Sequence, residues 1–348
     1  MRLINPITFI FFTLGLLECN KEEVVSPFSS NVDVYIGGTT GPLGLPFIAC
    51  YWKNGNLVTL TDGKLSAQGT SIAVSGTDIY VAGYQNKQEN GATHVAKYWK
   101  NGGLVNLTDG NSDAEANSIA VSGSDVYVAG YENDQPSTID GNPSGSPIAK
   151  FWKNGVPTVL GAGIALSIFI NGNDVYVAGA NSLGAVFWKN GVPTQIADGS
   201  WLNAIAVSGS DVYVAGYQGN GTFAGNGVTI AKLWKNGVAT NLTNGTTFGT
   251  ARGITISGSD VYVAGDELDI SIPGTVKTSA KYWKNGSPVT LFDQISYYSS
   301  CYSVFPFGSD VYVTGNYRAE AVCWINNKEI SLTPSSFGQG HSLIVVNK

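Results

Sequence analysis

Short apolar runs alternate along the chain with clusters of Gly, Asn, Asp and Ser, and the alternation repeats. The clearest unit lies between Ser118 and Leu160. It contains four runs, which we name A (S-I-A-V), B (V-Y-V-A-G), C (ending in F-W-K-N-G) and D (V-P-T-V-L). None of these runs has the apolar period of an amphipathic helix, and all are rich in β-branched and aromatic residues. The pattern therefore predicts four short strands in each unit.

The connections between the runs are of two kinds. Runs A and B are joined by tight turns such as S-G-S-D at 122–125, and runs C and D by Lys-Asn-Gly in six units. Asn-Gly tolerates the positive φ of a two-residue hairpin turn. The B–C and D–A loops, such as the loop after Tyr131, differ in length between units. We call the end of the sheet with the A–B and C–D turns the uniform face, and the end with the other loops the variable-loop face.

The unit occurs seven times. An Asp stands directly before run B at Asp33, Asp78, Asp125, Asp174, Asp211, Asp260 and Asp310. A Trp in run C follows each of them, at Trp52, Trp99, Trp152, Trp188, Trp234, Trp283 and Trp324. Seven units of four antiparallel strands predict an all-β fold, a seven-bladed β-propeller. Run A alternates large Ile119 and Val121 with small Ser118 and Ala120, which suits a blade covered by neighbours on both faces.

The two ends of the repeat region predict how the ring closes. The first unit begins with run B at residue 32 and lacks run A, whereas the chain ends on an unpartnered run A at 341–346. We expect this C-terminal strand to complete the first blade, because closure removes two open sheet edges. The predicted propeller domain covers residues 31–348.

The unit S-I-A-V-S-G-S-D-V-Y-V-A-G-Y at 118–131 resembles the SBBP-type and NHL-type β-propeller repeats of bacterial extracellular proteins. The resemblance extends over nearly all of the chain after residue 30. It implies a binding or interaction platform, with an occasional enzyme among such propellers. The W-K-N-G of run C is not part of those patterns.

Residues 1–19 differ from the rest of the chain. Arg2 precedes an apolar stretch at 3–17, which is short for a membrane span and typical of a secretory signal. Cys19, followed by N-K-E-E, resembles the lipidated Cys and tether of Bacteroidetes-type surface lipoproteins, although Glu18 stands where that pattern has a small residue. We predict a signal ending at a lipidated Cys19, a tether at 20–30, and a surface-exposed outer-membrane lipoprotein whose membrane contact is its lipid. Secretion is the alternative.

Composition narrows the set of partners. Charged residues make up 13% of the chain and the net charge is −6, whereas nucleic-acid binding requires a basic stripe. We expect a monomer that binds no nucleic acid. Cys50, Cys301 and Cys323 share no predicted neighbour and are predicted to be small buried side chains. We expect the repeated Trp to be buried between blades. We expect each repeated Asp to accept hydrogen bonds from the backbone N–H groups of its own A–B turn, and the Lys of Lys-Asn-Gly to lie in solvent.

Candidate binding residues lie where the units differ. If run A is innermost, the residue before its Ser position faces the central opening. These ring residues are Thr70, Asn117, Leu166, Asn203, Arg252, Tyr302 and His341. Two positions earlier stand Gln68, Glu115, Ile164, Trp201, Thr250, Ser300 and Gln339. Trp201 is the only Trp outside run C, and an aromatic beside polar groups suits a sugar ring or a protein anchor.

The function that these positions favour is a non-catalytic binding scaffold for a glycan or protein at the variable-loop face. The predicted ligand-binding residues are Trp201, Arg252, Tyr302, His341, Asn117, Asn203, Gln68 and Glu115. In an alternative interpretation the same side chains plug the opening.

An enzyme is the competing hypothesis. The chain has two histidines, His94 and His341, and either could form an acid–base pair with Glu115, as in a propeller lyase or hydrolase. No nucleophile elbow, zinc-binding helix or phosphate loop motif is present.

No cofactor is predicted apart from a weak calcium signal. Asp140, Asn142 and Ser144 place side-chain oxygens at alternate positions before a glycine, as calcium loops do, but the closing Glu of an EF-hand is missing. Polar turns often have the same spacing, and the sequence favours a simple turn over a calcium site here.

Overall fold

The computed structural model describes residues 27–42, 46–89, 91–138, 140–219, 228–271, 275–295 and 298–348. Within these residues the chain forms 28 strands, arranged as seven four-stranded antiparallel sheets. Each predicted run is a strand, and the predicted seven-bladed propeller is confirmed. The predicted signal, Cys19 and the first part of the predicted tether lie outside the described residues.

Blades 1 to 4 are numbered in chain order, with strands running outward from run A to run D. Blade 1 contains β1 (Val32–Gly41), β2 (Ile48–Lys53) and β3 (Asn56–Thr59). Blade 2 contains β4 (Ala67–Ser75), β5 (Asp78–Asn86), β6 (His94–Lys100) and β7 (Gly103–Asn106). Blade 3 contains β8 (Ala114–Ser122), β9 (Asp125–Asn133), β10 (Pro147–Lys153) and β11 (Val156–Ala162). Blade 4 contains β12 (Ile164–Asn171), β13 (Asp174–Asn181), β14 (Gly184–Lys189) and β15 (Val192–Gln195).

Blades 5 to 7 follow the same order, and the last strand returns to blade 1. Blade 5 contains β16 (Trp201–Ser208), β17 (Asp211–Gln218), β18 (Ile230–Lys235) and β19 (Val238–Asn241). Blade 6 contains β20 (Phe248–Ser257), β21 (Asp260–Asp269), β22 (Lys277–Lys284) and β23 (Ser287–Ile295). Blade 7 contains β24 (Ser299–Phe307), β25 (Asp310–Tyr317), β26 (Glu320–Ile325) and β27 (Lys328–Ser331). The final strand is β28 (Phe337–Asn347).

Strand β28 closes the ring as the sequence predicts. It pairs antiparallel with β1, so blade 1 has the order β28-β1-β2-β3. Leu343 and Val345 on β28 are buried in one cluster with Cys323 of blade 7. The C-terminal strand therefore joins the N-terminal and C-terminal blades through both hydrogen bonds and apolar packing.

Apolar packing between neighbouring blades forms the core. Trp152 of blade 3 is 1% exposed and lies in a cluster with Tyr80 and Ala82 of blade 2. Ile119 belongs to the same cluster, whereas Ala120 packs toward blade 4. The predicted alternation of large and small side chains is thus confirmed, and all seven repeated Trp are at most 2% exposed. Cys50, Cys301 and Cys323 are buried and free, and burial raises the pKa of each thiol.

A set of three polar residues, the repeated Asp with the Lys and Asn of the C–D turn, recurs on the uniform face, and we call it the clasp. In blade 3, Asn154 has a φ of 50°, donates from Nδ2 to Asp125 Oδ1 at 2.8 Å and accepts the Val126 N–H at 2.8 Å. Lys153 Nζ lies 2.7 Å from Asp125 Oδ2 and 5.2 Å from the centroid of the Tyr127 ring. Lys153 and then Asn154 hold the pKa of the Asp125 carboxyl below its ordinary value.

The clasp corrects the expectation for the repeated Asp and adds a partner to each repeated Lys. Each repeated Asp binds the Asn of the C–D turn, as in the pair formed by Asp125 and Asn154, and that Asn rather than the Asp receives the backbone N–H. The repeated Lys are ion-paired, although Lys153 remains 48% exposed. On the uniform face, the Asp of each A–B turn therefore pairs with residues of the adjacent C–D turn in the same blade.

Blade 7 departs from the clasp and receives the N-terminal segment. Ile325 stands where six units have Lys, and it packs against a cluster that contains Phe28 and Tyr312. Phe28 is 6% exposed and also approaches Gly55 of blade 1. The chain therefore enters the propeller on the uniform face, at the seam between blades 7 and 1.

Every innermost strand contains a bulge at its ring residue. In blade 3, Ala116 pairs with Gly130 and Ser118 with Ala129, so Asn117 between them has no partner. The other six inner strands shift register at the equivalent position. A bulged residue leaves the strand alternation and can be aimed in a new direction. Here it takes one side chain per blade out of the strand alternation that fills the seams between blades.

The bulge explains the glycine that ends each run B. A Cβ added to Gly130 would lie 2.0 Å from the carbonyl oxygen of Glu115, which is closer than any van der Waals contact. The same overlap of about 2 Å occurs at Gly216 with the carbonyl of Trp201. The bulge pushes this carbonyl against the facing strand, and only glycine leaves room for it.

We expect Gly130→Ala to lower the free energy of unfolding by about 3 kcal/mol or more, since the new methyl group overlaps fixed backbone. Gly123→Ala is the control without a steric overlap. Gly123 has a φ of +59°, unlike Gly130, and an added Cβ there meets nothing within 4 Å, so the left-handed backbone alone costs energy, roughly 1–2 kcal/mol. Urea unfolding followed by Trp fluorescence measures both, and equal losses in the two variants would contradict the steric explanation.

Candidate functional site

The ring residues surround a cavity on the axis of the propeller. All seven of them line it, together with small residues of the following position such as Ser118 and Ser303. The volume is about 350 Å³, which lies at the lower end of the range for small-molecule sites. One residue comes from each inner strand, so the bulges of seven blades converge on one space. The sequence reasoning located this ring correctly.

Three ring residues form a belt between blades. Thr70 Oγ1 donates to the carbonyl of Ala116 at 2.7 Å, and Asn117 Nδ2 to that of Ala165 at 3.0 Å. Asn203 Nδ2 donates in the same way to the next blade, at 2.8 Å. Their hydrogen bonds hold neighbouring inner strands together, and they orient the two amide groups with their oxygens away from the bonded carbonyls.

The other polar ring residues occupy three consecutive blades, and we call them, with Asp266, the polar sector. Arg252 Nε donates to Asp266 Oδ1 at 2.5 Å, and its guanidinium carbon lies 5.3 Å from the centroid of the Tyr302 ring. The Tyr302 ring lies 5.2 Å from that of His341. Arg252, Tyr302 and His341 belong to blades 6, 7 and 1, so Tyr302 is contacted from both neighbouring blades.

The large side chains of the polar sector are accompanied by smaller side chains on the second strand of each blade. Blades 2, 3 and 5 have a Tyr after the glycine of run B, at Tyr84, Tyr131 and Tyr217, whereas blades 6, 7 and 1 have Asp266, Asn316 and Thr39. A smaller side chain there accompanies a large ring residue. Asp266 was not among the predicted site residues, although the sequence shows it in place of the tyrosine of blades 2, 3 and 5.

Electrostatics fix the charge state of the polar sector. Burial opposes ionisation of Arg252, but the Asp266 carboxylate outweighs it and raises the pKa of the guanidinium. Burial, followed by the repulsion of Arg252, lowers the pKa of His341 to about 4. His341 Nε2 is buried and has no hydrogen-bond partner among the described residues. The imidazole is therefore neutral at physiological pH, and the Arg252–Asp266 pair has no net charge.

Three of the predicted ligand-binding residues lie outside the cavity lining. Gln68, Glu115 and Trp201 sit two positions before the ring residues and pair with Tyr84, Tyr131 and Tyr217 on the second strand. Trp201 is half-buried at the start of β16. The structure thus brings Arg252, Tyr302, His341, Asn117 and Asn203 together, but separates these three from them.

The seam between blades 2 and 3 holds a second cluster. His94 Nδ1 lies 3.2 Å from Glu115 Oε1 and 3.3 Å from Asp113 Oδ1, although neither contact is aligned as a hydrogen bond. The tilted rings of Tyr84 and His94 have centroids 4.4 Å apart, and Tyr131 donates to Asp113 Oδ2 at 3.2 Å. Burial and the two carboxylates raise the pKa of both tyrosines.

The two histidines therefore lie in different places. His94 meets Glu115 as the enzyme hypothesis requires, but His341 lies beside Tyr302 in the cavity. A single site that uses both histidines is not formed by these contacts. What the seam offers is one imidazole between two carboxylates, an arrangement that can hold and transfer a proton.

The loop that gave the calcium signal is fastened to blade 2. The Gly141 carbonyl accepts hydrogen bonds from the backbone N–H groups of Ala92 and Thr93, at 2.9 and 3.0 Å. Asp140 and Asn142 are exposed and Ser144 is half-buried. Calcium binding by these three residues stays a prediction. In the described part of the chain, no three His, Cys, Asp or Glu side chains are grouped to hold a metal ion.

Comparison with known proteins adds little beyond the fold. No protein-family model matches the chain, and no curated protein matches it. The resemblance to SBBP-type and NHL-type repeats therefore stays a prediction. Helices that could cross a membrane are absent from the described ranges.

Solved structures with propeller-like architecture do match. A candidate 6-phosphogluconolactonase from Bacteroides fragilis is 12% identical, with a TM-score of 0.41, over 92% of this chain and 99% of that one. An endo-arabinanase from Bacillus licheniformis is 12% identical, with a TM-score of 0.32, over 63% and 95%. Drosophila semaphorin 1b is 8% identical, with a TM-score of 0.41, over 79% and 82%. Their roles differ, and likeness at this level gives no indication of activity.

The pKa of His341 predicts a contribution to acid sensitivity. Since its pKa falls from the ordinary 6.5 to about 4 on folding, the unfolded chain binds the proton first, and stability declines as the pH drops from about 6.5 to 4. His341→Gln removes this contribution, so we expect its stability to decline less steeply over that interval than that of the wild type. Urea unfolding at several pH values measures the difference, and parallel curves would contradict the assignment.

Proposed function

We propose that the protein is a non-catalytic binding scaffold that takes a glycan or protein ligand at its variable-loop face, with the axial cavity at the centre of the site. The observation that carries the proposal is the ring of seven bulges. Each bulge, with its required glycine, turns one side chain to the axis, and the side chains differ from blade to blade. Invariant scaffolding with a varied lining is what a recognition site needs.

The cavity favours binding over catalysis. Among the described residues that line it, there is no carboxylate side chain to act with a base or to hold a cation. Arg252 is occupied by Asp266, and the lowered pKa of His341 makes it a weak base at neutral pH. The lining can donate and accept hydrogen bonds but is poorly equipped to move protons.

The alternative, a lyase or hydrolase, is supported by one observation, the contact of His94 with Glu115 at 3.2 Å. It concerns the seam between blades 2 and 3 and not the cavity. An experiment that tests binding can therefore also locate the site, because the two sets of residues do not overlap.

The binding test uses immobilised glycan and peptide libraries. We expect the wild type to retain a ligand and Arg252→Ala to weaken it at least about tenfold, as for a central contact. Trp201→Ala reports whether the rim contributes. Lys235→Ala, on the uniform face, is the matched control and should bind like the wild type. Thermal melts establish that each variant is folded.

Two results would contradict the cavity as the site. The first is unchanged binding by folded Arg252→Ala. The second is loss of binding, or of a newly detected activity, in His94→Gln alone, which would move the function to the seam.

We further propose that lipid at Cys19 anchors the protein to the outer surface of the outer membrane, with secretion as the alternative. The support is the N-terminal pattern, and the position of Phe28 gives the proposal a direction. Phe28 packs on the uniform face, and residues 20–26 span at most about 25 Å when extended. The uniform face would then face the membrane, and the cavity would open away from it.

Metabolic labelling with palmitate tests the anchor. We expect label in the wild type and none in Cys19→Ser, which should be released into the medium. Surface access is measured by adding a tag at 134–137, in the loop between β9 and β10 of the variable-loop face, and one in the turn at 122–125 of the uniform face. Preferential antibody binding to the first tag on whole cells is expected, and preference for the second would contradict the orientation.

A further inference from the structure

We infer that the ligand of the axial cavity is a neutral, hydroxyl-rich group, namely the terminal residue of an uncharged sugar chain. The inference rests on the proposed binding function and names its ligand class. Charge, hydrogen-bonding capacity and the state of the aromatic faces support it independently.

The cavity has no net charge to offer. Among the described lining residues, Arg252 is the sole permanently charged side chain. Both oxygens of Asp266 contact its guanidinium, with Oδ1 2.5 Å from Nε and Oδ2 3.4 Å from Nη2. A carboxylate or sulfate on a ligand would have to compete with Asp266 and would meet like charge. An ammonium group would meet Arg252 without a carboxylate in the lining.

The lining mixes donors and acceptors in the way that hydroxyl groups require. Asn117 and Asn203 give their Nδ2 atoms to the next blade, and their Oδ1 atoms accept no hydrogen bond from the described residues. These oxygens can accept hydrogen bonds from a ligand. The serine hydroxyls of the lining accept backbone N–H groups of the next blade and can donate their own O–H to a ligand. A sugar hydroxyl donates and accepts at once, whereas a carboxylate can only accept.

The cavity offers little aromatic surface for stacking. Tyr302 is the aromatic ring of the described lining besides His341, and both Arg252 and His341 already contact it. Trp201, which suggested stacking, does not reach the lining. A ligand therefore enters end-on and is held by hydrogen bonds at its edges. The small volume, about 350 Å³, suits one terminal residue rather than the middle of a chain.

The experiment compares ligands that differ only in charge. Oligosaccharides ending in galacturonic acid are paired with their methyl esters, and oligosaccharides ending in glucose, mannose or galactose with the corresponding uronic acids. Titration calorimetry with the wild type should give an affinity at least about tenfold higher for the neutral member of a binding pair. Raising the salt from roughly 50 to 500 mM should change that affinity less than about twofold, because no ion pair forms.

The Asp266→Asn variant tests the reverse preference, for an acidic ligand. It removes the charge that neutralises Arg252 and should raise the affinity for the acidic member, relative to the neutral one, at least about tenfold. If this variant does not fold, the ester pairs and the salt series on the wild type still decide the question.

The outcomes separate the inference from the proposed function. Preference of the wild type for the acidic member, or binding of peptides alone in an Arg252-dependent manner, overturns the inference and leaves the binding function standing. Absence of any ligand that depends on Arg252 overturns both. Neutral preference with weak salt dependence supports both.

Discussion

Every blade of this propeller is covered on both faces by its neighbours, and the rest of the structure depends on that constraint. Alternating side chains of an inner strand point into the two seams beside its blade. Ile119 packs in the seam with blade 2, which also contains Trp152 of β10, and Ala120 packs in the seam with blade 4. Such an inner strand presents only its backbone edge to the axis. A side chain reaches the axis only by leaving the alternation, and the bulge at residues such as Asn117 accomplishes this.

The bulge in turn dictates residues elsewhere. The displaced carbonyl of Glu115 requires glycine at position 130 on the facing strand. Where the ring residue is large, the residue after that glycine becomes small or polar, as with Arg252 and Asp266. Scaffold and site are therefore coupled through one backbone irregularity, and a new ring residue generally needs a matching change on the second strand.

The internal repeats act as a set of comparisons within one chain. Six blades complete the clasp of Asp, Asn and Lys on the uniform face, and blade 7 replaces Lys with Ile325 to seat Phe28. Three blades build a hydrogen-bonded belt from Thr70, Asn117 and Asn203, and three others build the polar sector. The polar sector and the packing site of Phe28 thus both involve blades 7 and 1.

The sequence alone determined the strands, the seven blades, the closure by residues 341–346 and the identity of the ring residues. Each follows from local periodicity or from the register of one repeat against another, and neither needs coordinates. Tertiary structure decided the rest, because it depends on distances between side chains from different repeats. Only the folded chain shows that Asp266 neutralises Arg252, that Glu115 lies beside His94 while His341 contacts Tyr302, and that Trp201 stays outside the cavity. The repeat specifies the backbone position of a side chain, and packing against the neighbouring blade decides which groups that side chain contacts.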